Sequence, residues 1–184
     1  MPLESKRLAG LLLTHPSEAA WTDAIEVQNI LQKKTPATAR RQAALIRKRL
    51  QTLDAAGWQL LVSREAELVY QLLLASAIKH SRLLGDFMLQ VYAQRQRKLE
   101  QSLSALDWHG FLDECAHHDS AVAKWSESTK AKLFQVIVRI LVEAKYLDNP
   151  KSMKLTPQSL HSDVLRYLRN KGEDYVIECM ERAK

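Results

Sequence analysis

Between Val27 and Leu53 the chain reads VQNILQKKTPATARRQAALIRKRLQTL, with seven bases and no acid. Within that stretch Ala39, Ala43, Ile46, Leu50 and Leu53 recur at intervals of three and four. This spacing is that of a helix with one buried face. Thr35-Pro36 marks where the helix begins. A threonine oxygen can take one of the unpaired N–H groups of the first turn, and proline at the first helical position gives up an N–H that has no helical partner. On a wheel of roughly 100° per residue, the five apolar positions fall in a sector about 80° wide. Opposite them lie Ala37, Arg41, Ala44 and Lys48, flanked by Arg40, Arg47 and Gln51 on one side and by Thr38 and Arg49 on the other. Small residues alternating with long bases let a helix backbone approach a groove while the bases reach past it.

The charge is local. The chain has 27 Lys and Arg against 21 Asp and Glu, a formal +6, and without the seven bases of this stretch the balance is −1. A base-rich, acid-free element is the electrostatic footprint of a polyanion-binding surface. The preceding segment reads as a helix from about Thr22 to Gln32, capped by Ser17 or Thr22, with Lys33 and Lys34 in a short connection. Together these have helix-turn-helix proportions, in which the second helix leads into the major groove by its N-terminal end. Thr38, Arg41 and Gln42 are then nearest to bases, since arginine pairs with guanine and glutamine with adenine. Thr35 and the first backbone N–H groups suit a phosphate. Lys33, Lys34, Arg40, Arg47 and Lys48 are expected to hold phosphates, giving affinity more than sequence choice.

Leu, Ala, Gln, Glu, Lys and Arg dominate the rest of the chain, and Gly and Pro number five each, so long helices are expected. The fold class is mainly α, with an N-terminal helix-turn-helix-like module over 1–62, a central long helical region over 63–105, and a C-terminal winged-helix-like module over 106–184. A first helix is expected over Ser5–Thr14 and a long one from about Arg64 to Leu103, with Gly85 as a kink or a close-packing point. Asp107 is read as the cap of a short helix from Trp108, Ser126 as the cap of one ending near Lys145, and Ser162 as the cap of one ended by Gly172. Tyr146–Leu155 reads as one small β-hairpin around Asp148-Asn149-Pro150-Lys151. The helix before it and this hairpin form a winged-helix layout with a second set of DNA-facing bases: Lys130 and Lys132 on the helix, Lys151 and Lys154 on the wing. A hairpin that only covers a core edge accounts for the same pattern.

Other chemistry is poorly supported. Cys115 and Cys179 are far apart and read as core thiols in a reducing cytoplasm. The apolar run Leu8–Leu13 is too short for a signal peptide, and Leu68–Ile78 is about half a membrane span. The cluster Cys115, His117, His118 and Asp119 lacks a second ligand pair at metal-site spacing. No phosphate loop, nucleophile elbow or nuclease-like carboxylate set is present. Neither an enzyme nor a cofactor or metal protein is expected, and Trp21, Trp58, Trp108 and Trp125 read as packing anchors.

Several blocks, in order along the chain, resemble the BrxA family: LQKKTPATARRQAALIRKRL (31–50), AIKHSRLLGDFM (77–88), VAKWSESTKAKL (122–133), AKYLDN (144–149) and GEDYVIECME (172–181). The resemblance implies a small component of bacteriophage exclusion (BREX) defence. It further implies a helical fold with helix-turn-helix or winged-helix modules, an association with double-stranded DNA, and no enzymatic activity. Other BREX components are then candidate partners. No family residue list is carried over, so the DNA-contact residues rest on the wheel alone. Two other roles fit the same basic face: an adaptor docking acidic partner subunits, and a regulator of the defence operon.

Overall fold

The computed structural model describes residues 2–63 and 65–181. The chain forms two compact units that divide between His80 and Ser81. The region expected as one helical stretch over 63–105 is therefore parted near its middle. Ser81 leaves the helical conformation, with φ −137° and ψ 100°. The expected start at Arg64 lies outside the described residues.

The first unit is built from α1 (Pro2–Leu13), α2 (Glu18–Thr22), α3 (Pro36–Leu50), α4 (Ala55–Ser63) and α5 (Ala66–His80). Helix α5 is its centre. Leu68, Val69, Leu72, Leu74, Ala75, Ala77 and Ile78 are all buried, as are Gln71 and Ser76. A helix apolar nearly all round must be covered by neighbours, and α1, α3 and α4 pack against it. Ser17 caps α2, its side chain accepting from the Ala20 N–H. The helix expected over Thr22–Gln32 instead passes into a π-helical turn, Asp23–Val27, and stops there. Asn29 and Gln32 then take positive φ angles of 47° and 54°. The Asn29 side chain accepts from the Lys33 N–H and donates to the Lys33 carbonyl, closing the loop on itself. The connection to α3 is thus the whole segment 28–35 and longer than expected.

In the second unit, α6 (Arg82–Phe87), a π-helical turn (Met88–Tyr92) and α7 (Ala93–Arg97) run as one rod. After it come α8 (Ala105–His118), α9 (Ser120–Ala123), α10 (Glu127–Glu143), α11 (Ser162–Asn170) and α12 (Asp174–Glu181). Phe87 lies at the hub of the core, edge-on to Trp108, Phe111 and Phe134 at centroid distances of 5.6, 5.4 and 6.5 Å. Two tyrosines tie the ends of the unit together. Tyr92 Oη donates to the Tyr146 carbonyl, and Tyr146 Oη donates to the Met180 carbonyl. Burial pushes the Tyr92 and Tyr146 phenols well above the usual tyrosine range.

Two caps differ from expectation. Ser104, not Asp107, caps α8. Asp107 sits three residues in and completes a capping box by accepting from the Ser104 N–H. His161, not Ser162, caps α11, with Nδ1 accepting from the Asp163 N–H. Gly172 does end α11, at φ 66°.

The expected hairpin is corrected. Among the described residues there is no strand, only isolated bridges pairing Leu147 with Leu155 and Ser102 with Lys154. Two local features stop the ladder from extending. Met153 is left-handed, at φ 47°. The Asp148 carboxylate also folds the turn inward, accepting from the Asn149 and Lys154 N–H groups and the Ser152 hydroxyl.

Candidate nucleic-acid interface

Helix α3 begins where the sequence places it and ends at Leu50, short of the expected end near Leu53. Thr35 is extended and accepts the Thr38 N–H on its side chain, with Pro36 at the first helical position. Ala39, Ala43, Ile46, Leu50 and Leu53 are each no more than 5 % exposed, so the predicted seam is the buried one. Opposite it, Ala37, Arg41, Ala44 and Lys48 are exposed, as are Lys34 and Arg40 in their neighbourhood.

The seven bases do not behave alike. Arg47 turns back onto the fold. Its guanidinium meets both Glu18 oxygens, at 3.1 and 2.6 Å, and lies 4.4 Å from the Trp21 ring centroid. The bidentate bond from Arg47 holds the Glu18 carboxyl below its ordinary value, and the same bond holds the guanidinium's own value up. Lys33 bonds Glu4 on α1 at 2.9 Å. Burial alone raises the Glu4 carboxyl, but the Lys33 hydrogen bond and charge leave it below its ordinary value. Arg40 lies 3.5 Å from Glu26, with its side chain 63 % exposed. Arg49 is half-buried. Lys34, Arg41 and Lys48 have no acidic partner among the described residues. They form the free cationic face.

The three expected base readers separate. Arg41 stands on the exposed face. Thr38 is half-buried, its hydroxyl accepting from the Thr35 hydroxyl at 2.9 Å. Gln42 is also half-buried, and its Oε1 is shut off from solvent with no hydrogen-bond partner. The wheel carried this signal: at 100° per residue, Gln42 falls about 20° from Leu53, at the edge of the buried sector.

In the second unit, Lys130 bonds Glu127 at 2.9 Å, and its carbonyl accepts the Trp108 indole N–H. Lys132, Lys151 and Lys154 are exposed. Sequence reasoning passed over Gln135 and Arg139, which are exposed on the same side of α10 as Lys132. Steps of three and seven from Lys132 would have found them. Gln135 and Arg139 also line, with Phe134, Val138, Pro150 and Met153, a groove between α10 and the turn at 148–153.

No helix of the described residues is long and apolar enough to cross a membrane. No group of three or more His, Cys, Asp or Glu among them could hold a metal ion.

The family model BrxA matches residues 1–172. The chain belongs to the BrxA family. Among curated relatives, the BREX protein BrxA of Paramagnetospirillum magneticum (strain ATCC 700264 / AMB-1) is 39 % identical over 97 % of this chain and 89 % of its own. The BREX protein BrxA of Escherichia coli O9:H4 (strain HS) is 34 % identical, covering 98 % of this chain and 85 % of its own. That of Bacillus cereus (strain H3081.97) is 28 % identical over 97 % and 90 %. A crystal structure of a protein from Magnetospirillum magneticum superposes with a TM-score of 0.88 at 36 % identity, covering 97 % of this chain and 92 % of that one. BrxA membership places the chain among the components of BREX phage-defence systems.

Proposed function

We propose that the chain is a non-enzymatic, double-stranded DNA-binding subunit of its BREX system. The observation that carries this reading is the α3 face. Arg41 and Lys48 project from one capped helix and Lys34 stands just before its cap, with no acidic partner among the described residues, and Ala37 and Ala44 leave room for close approach. These bases suit phosphates, and of the expected base readers only Arg41 is exposed. The face therefore supplies affinity more than sequence choice.

The element order of the second unit supports a second DNA contact, made by that unit. A helical rod, a bridge at Ser102, helices α8 and α10, then bridges at Leu147 and Lys154–Leu155 follow one another as the parts of a winged helix do. In that arrangement α10 is the helix presented to a groove, and the turn at 148–153 is the wing. Lys132, Gln135 and Arg139 would face DNA from α10, and Lys151 and Lys154 from the wing.

A salt series on duplex DNA tests the reading. Three free bases, Lys34 before α3 and Arg41 and Lys48 on it, give a slope of log K against log salt of about −3, made steeper by any further contacts. Arg41→Glu/Lys48→Glu, both at exposed positions, is expected to weaken binding at least about a hundredfold in low salt without loss of fold. Wild-type affinity in that variant overturns the proposal. Pull-down of the other system components by the same basic face would then favour the adaptor role.

A further inference from the structure

The second unit carries a cleft of opposite character. It lies between the α6 rod and the α8–α9 pair and has a volume of about 500 Å³, within the range of sites that enclose a side chain or small ligand. Leu83, Val122 and Trp125 make its apolar wall, while Asp86, Glu114 and Asp119 bring carboxylates to it. The carboxylates act on one place. The Cys115 thiol, which also lines the cleft, is pushed up first by burial and then by the charges of Asp86, Asp119 and Glu114. Gln90 and His118 also line the cleft, and Arg82 pairs with Asp86, so Glu114 and Asp119 are the carboxylates left to draw a cation in.

The chain itself shows which cation suits an aromatic ring beside a carboxylate. Arg47 lies over Trp21 while binding Glu18. Arg82 lies 3.8 Å from the Tyr175 ring centroid while binding Asp86 at 3.0 Å. In both, a guanidinium lies over the ring while its N–H groups bond the acid. Trp125 and Glu114 bring an aromatic ring and a carboxylate to the same cleft, and among the described residues no arginine lies over that ring or pairs with that acid. Asp86 is already engaged by Arg82 and Tyr175. Glu114 is exposed and has no ion pair among the described residues.

We propose that this cleft is a protein-docking site that takes an arginine side chain presented by a basic segment of a partner protein. Arginine is favoured over lysine because its planar, weakly hydrated head can stack on the Trp125 indole and fork to Glu114 together, whereas an ammonium is a compact, strongly hydrated charge. This cleft is separate from the α3 DNA face. It carries the other sign of charge and shares no residue with that face.

The test is an NMR titration of the whole protein, following the Trp125 indole N–H signal as assigned by Trp125→Phe. The probes are acetylated, amidated triarginine and trilysine peptides. The Trp125 signal is expected to move saturably with triarginine and to respond to trilysine at least about threefold more weakly. Glu114→Lys is expected to weaken triarginine binding at least about tenfold with an unchanged melting temperature, and Glu114→Gln to weaken it less. A signal that stays still, equal binding of the two peptides, or an unaltered affinity in both Glu114 variants overturns the proposal. A Trp125 shift that grows with protein concentration in the absence of peptide, and disappears in Glu114→Lys, overturns it in favour of a second copy of this chain.

Discussion

At the residue scale, the seven bases between Val27 and Leu53 divide into those that build the fold and those it leaves outside. Arg47 belongs to the first group. It joins Glu18 and Trp21 to α3 through a bidentate ion pair and a stacked ring. Arg47→Ala is expected to lower stability, with about 1 kcal/mol from the lost stacking, in a urea melt, while leaving the salt slope for DNA unchanged. Acid titration of stability reads the same pair. The folded Glu18 carboxyl lies below its ordinary value near 4.5. Its stabilising effect is therefore present above that value and is lost as pH falls through the lower folded value. Glu18→Gln should flatten that part of the acid limb, and an unchanged limb would show that Glu18 does not contribute. Tyr146 makes a different kind of residue-scale prediction, because its hydroxyl is buried and bonds the Met180 carbonyl at 3.1 Å. Tyr146→Phe removes that donor and is expected to cost about 1–3 kcal/mol in the same melt.

At the scale of the element, α3 shows why some of this fold can be read from sequence. Its cap and its buried seam are both local: Thr35-Pro36 sets the start, and apolar spacing sets the inward face. Thr35→Ala is accordingly expected to cost about 1 kcal/mol in equilibrium unfolding, and a variant as stable as wild type would mean that the Thr38 N–H finds another acceptor. The elements that escaped the sequence reading depend on side chains closing back on the backbone. The helix before α3 stops at Val27 because Asn29 satisfies both Lys33 backbone groups; an asparagine able to adopt positive φ was the available stop signal. The hairpin at 146–155 had the right turn residues and some alternation. Its ladder was lost to the Asp148 carboxylate and to a left-handed Met153, neither of which alters a period-two pattern. Arg47 and Gln42, expected among the DNA contacts, pack against the fold for a simpler reason. Both lie at the margin of the α3 buried sector, where the direction of a long side chain depends on what packs against it. The acids that claim Lys33 and Arg47 are Glu4 and Glu18, outside the acid-free stretch, so local charge gave no warning of them.

At the scale of the whole molecule, the two units carry separate cationic faces, Arg41 and Lys48 on α3 and Lys132 and Arg139 on α10. Whether both meet one duplex is a question about additivity, and counterion release answers it. Each phosphate neutralised contributes about −0.9 to the slope of log K against log salt. Arg41→Ala/Lys48→Ala should therefore make the slope shallower by about 2. Lys132→Ala/Arg139→Ala should remove about 2 more where α10 lies against the same duplex. The two pairs belong to different units and share no partner, so in the four-site variant their free-energy losses should add to within about 0.5 kcal/mol when the faces bind DNA as independent patches of one footprint. A four-site loss well beyond that sum identifies a duplex held by one face at a time, since either face then covers for the loss of the other. An α10 pair that leaves the slope untouched removes Lys132 and Arg139 from the DNA contact. A shallower slope, joined to a changed preference among duplexes of different sequence, assigns base reading to α10 and anchoring to α3. That division follows from the side chains. The exposed α3 face offers bases and alanines, whereas α10 sets a glutamine and an arginine beside a groove, and those are the side chains that pair bidentately with adenine and guanine.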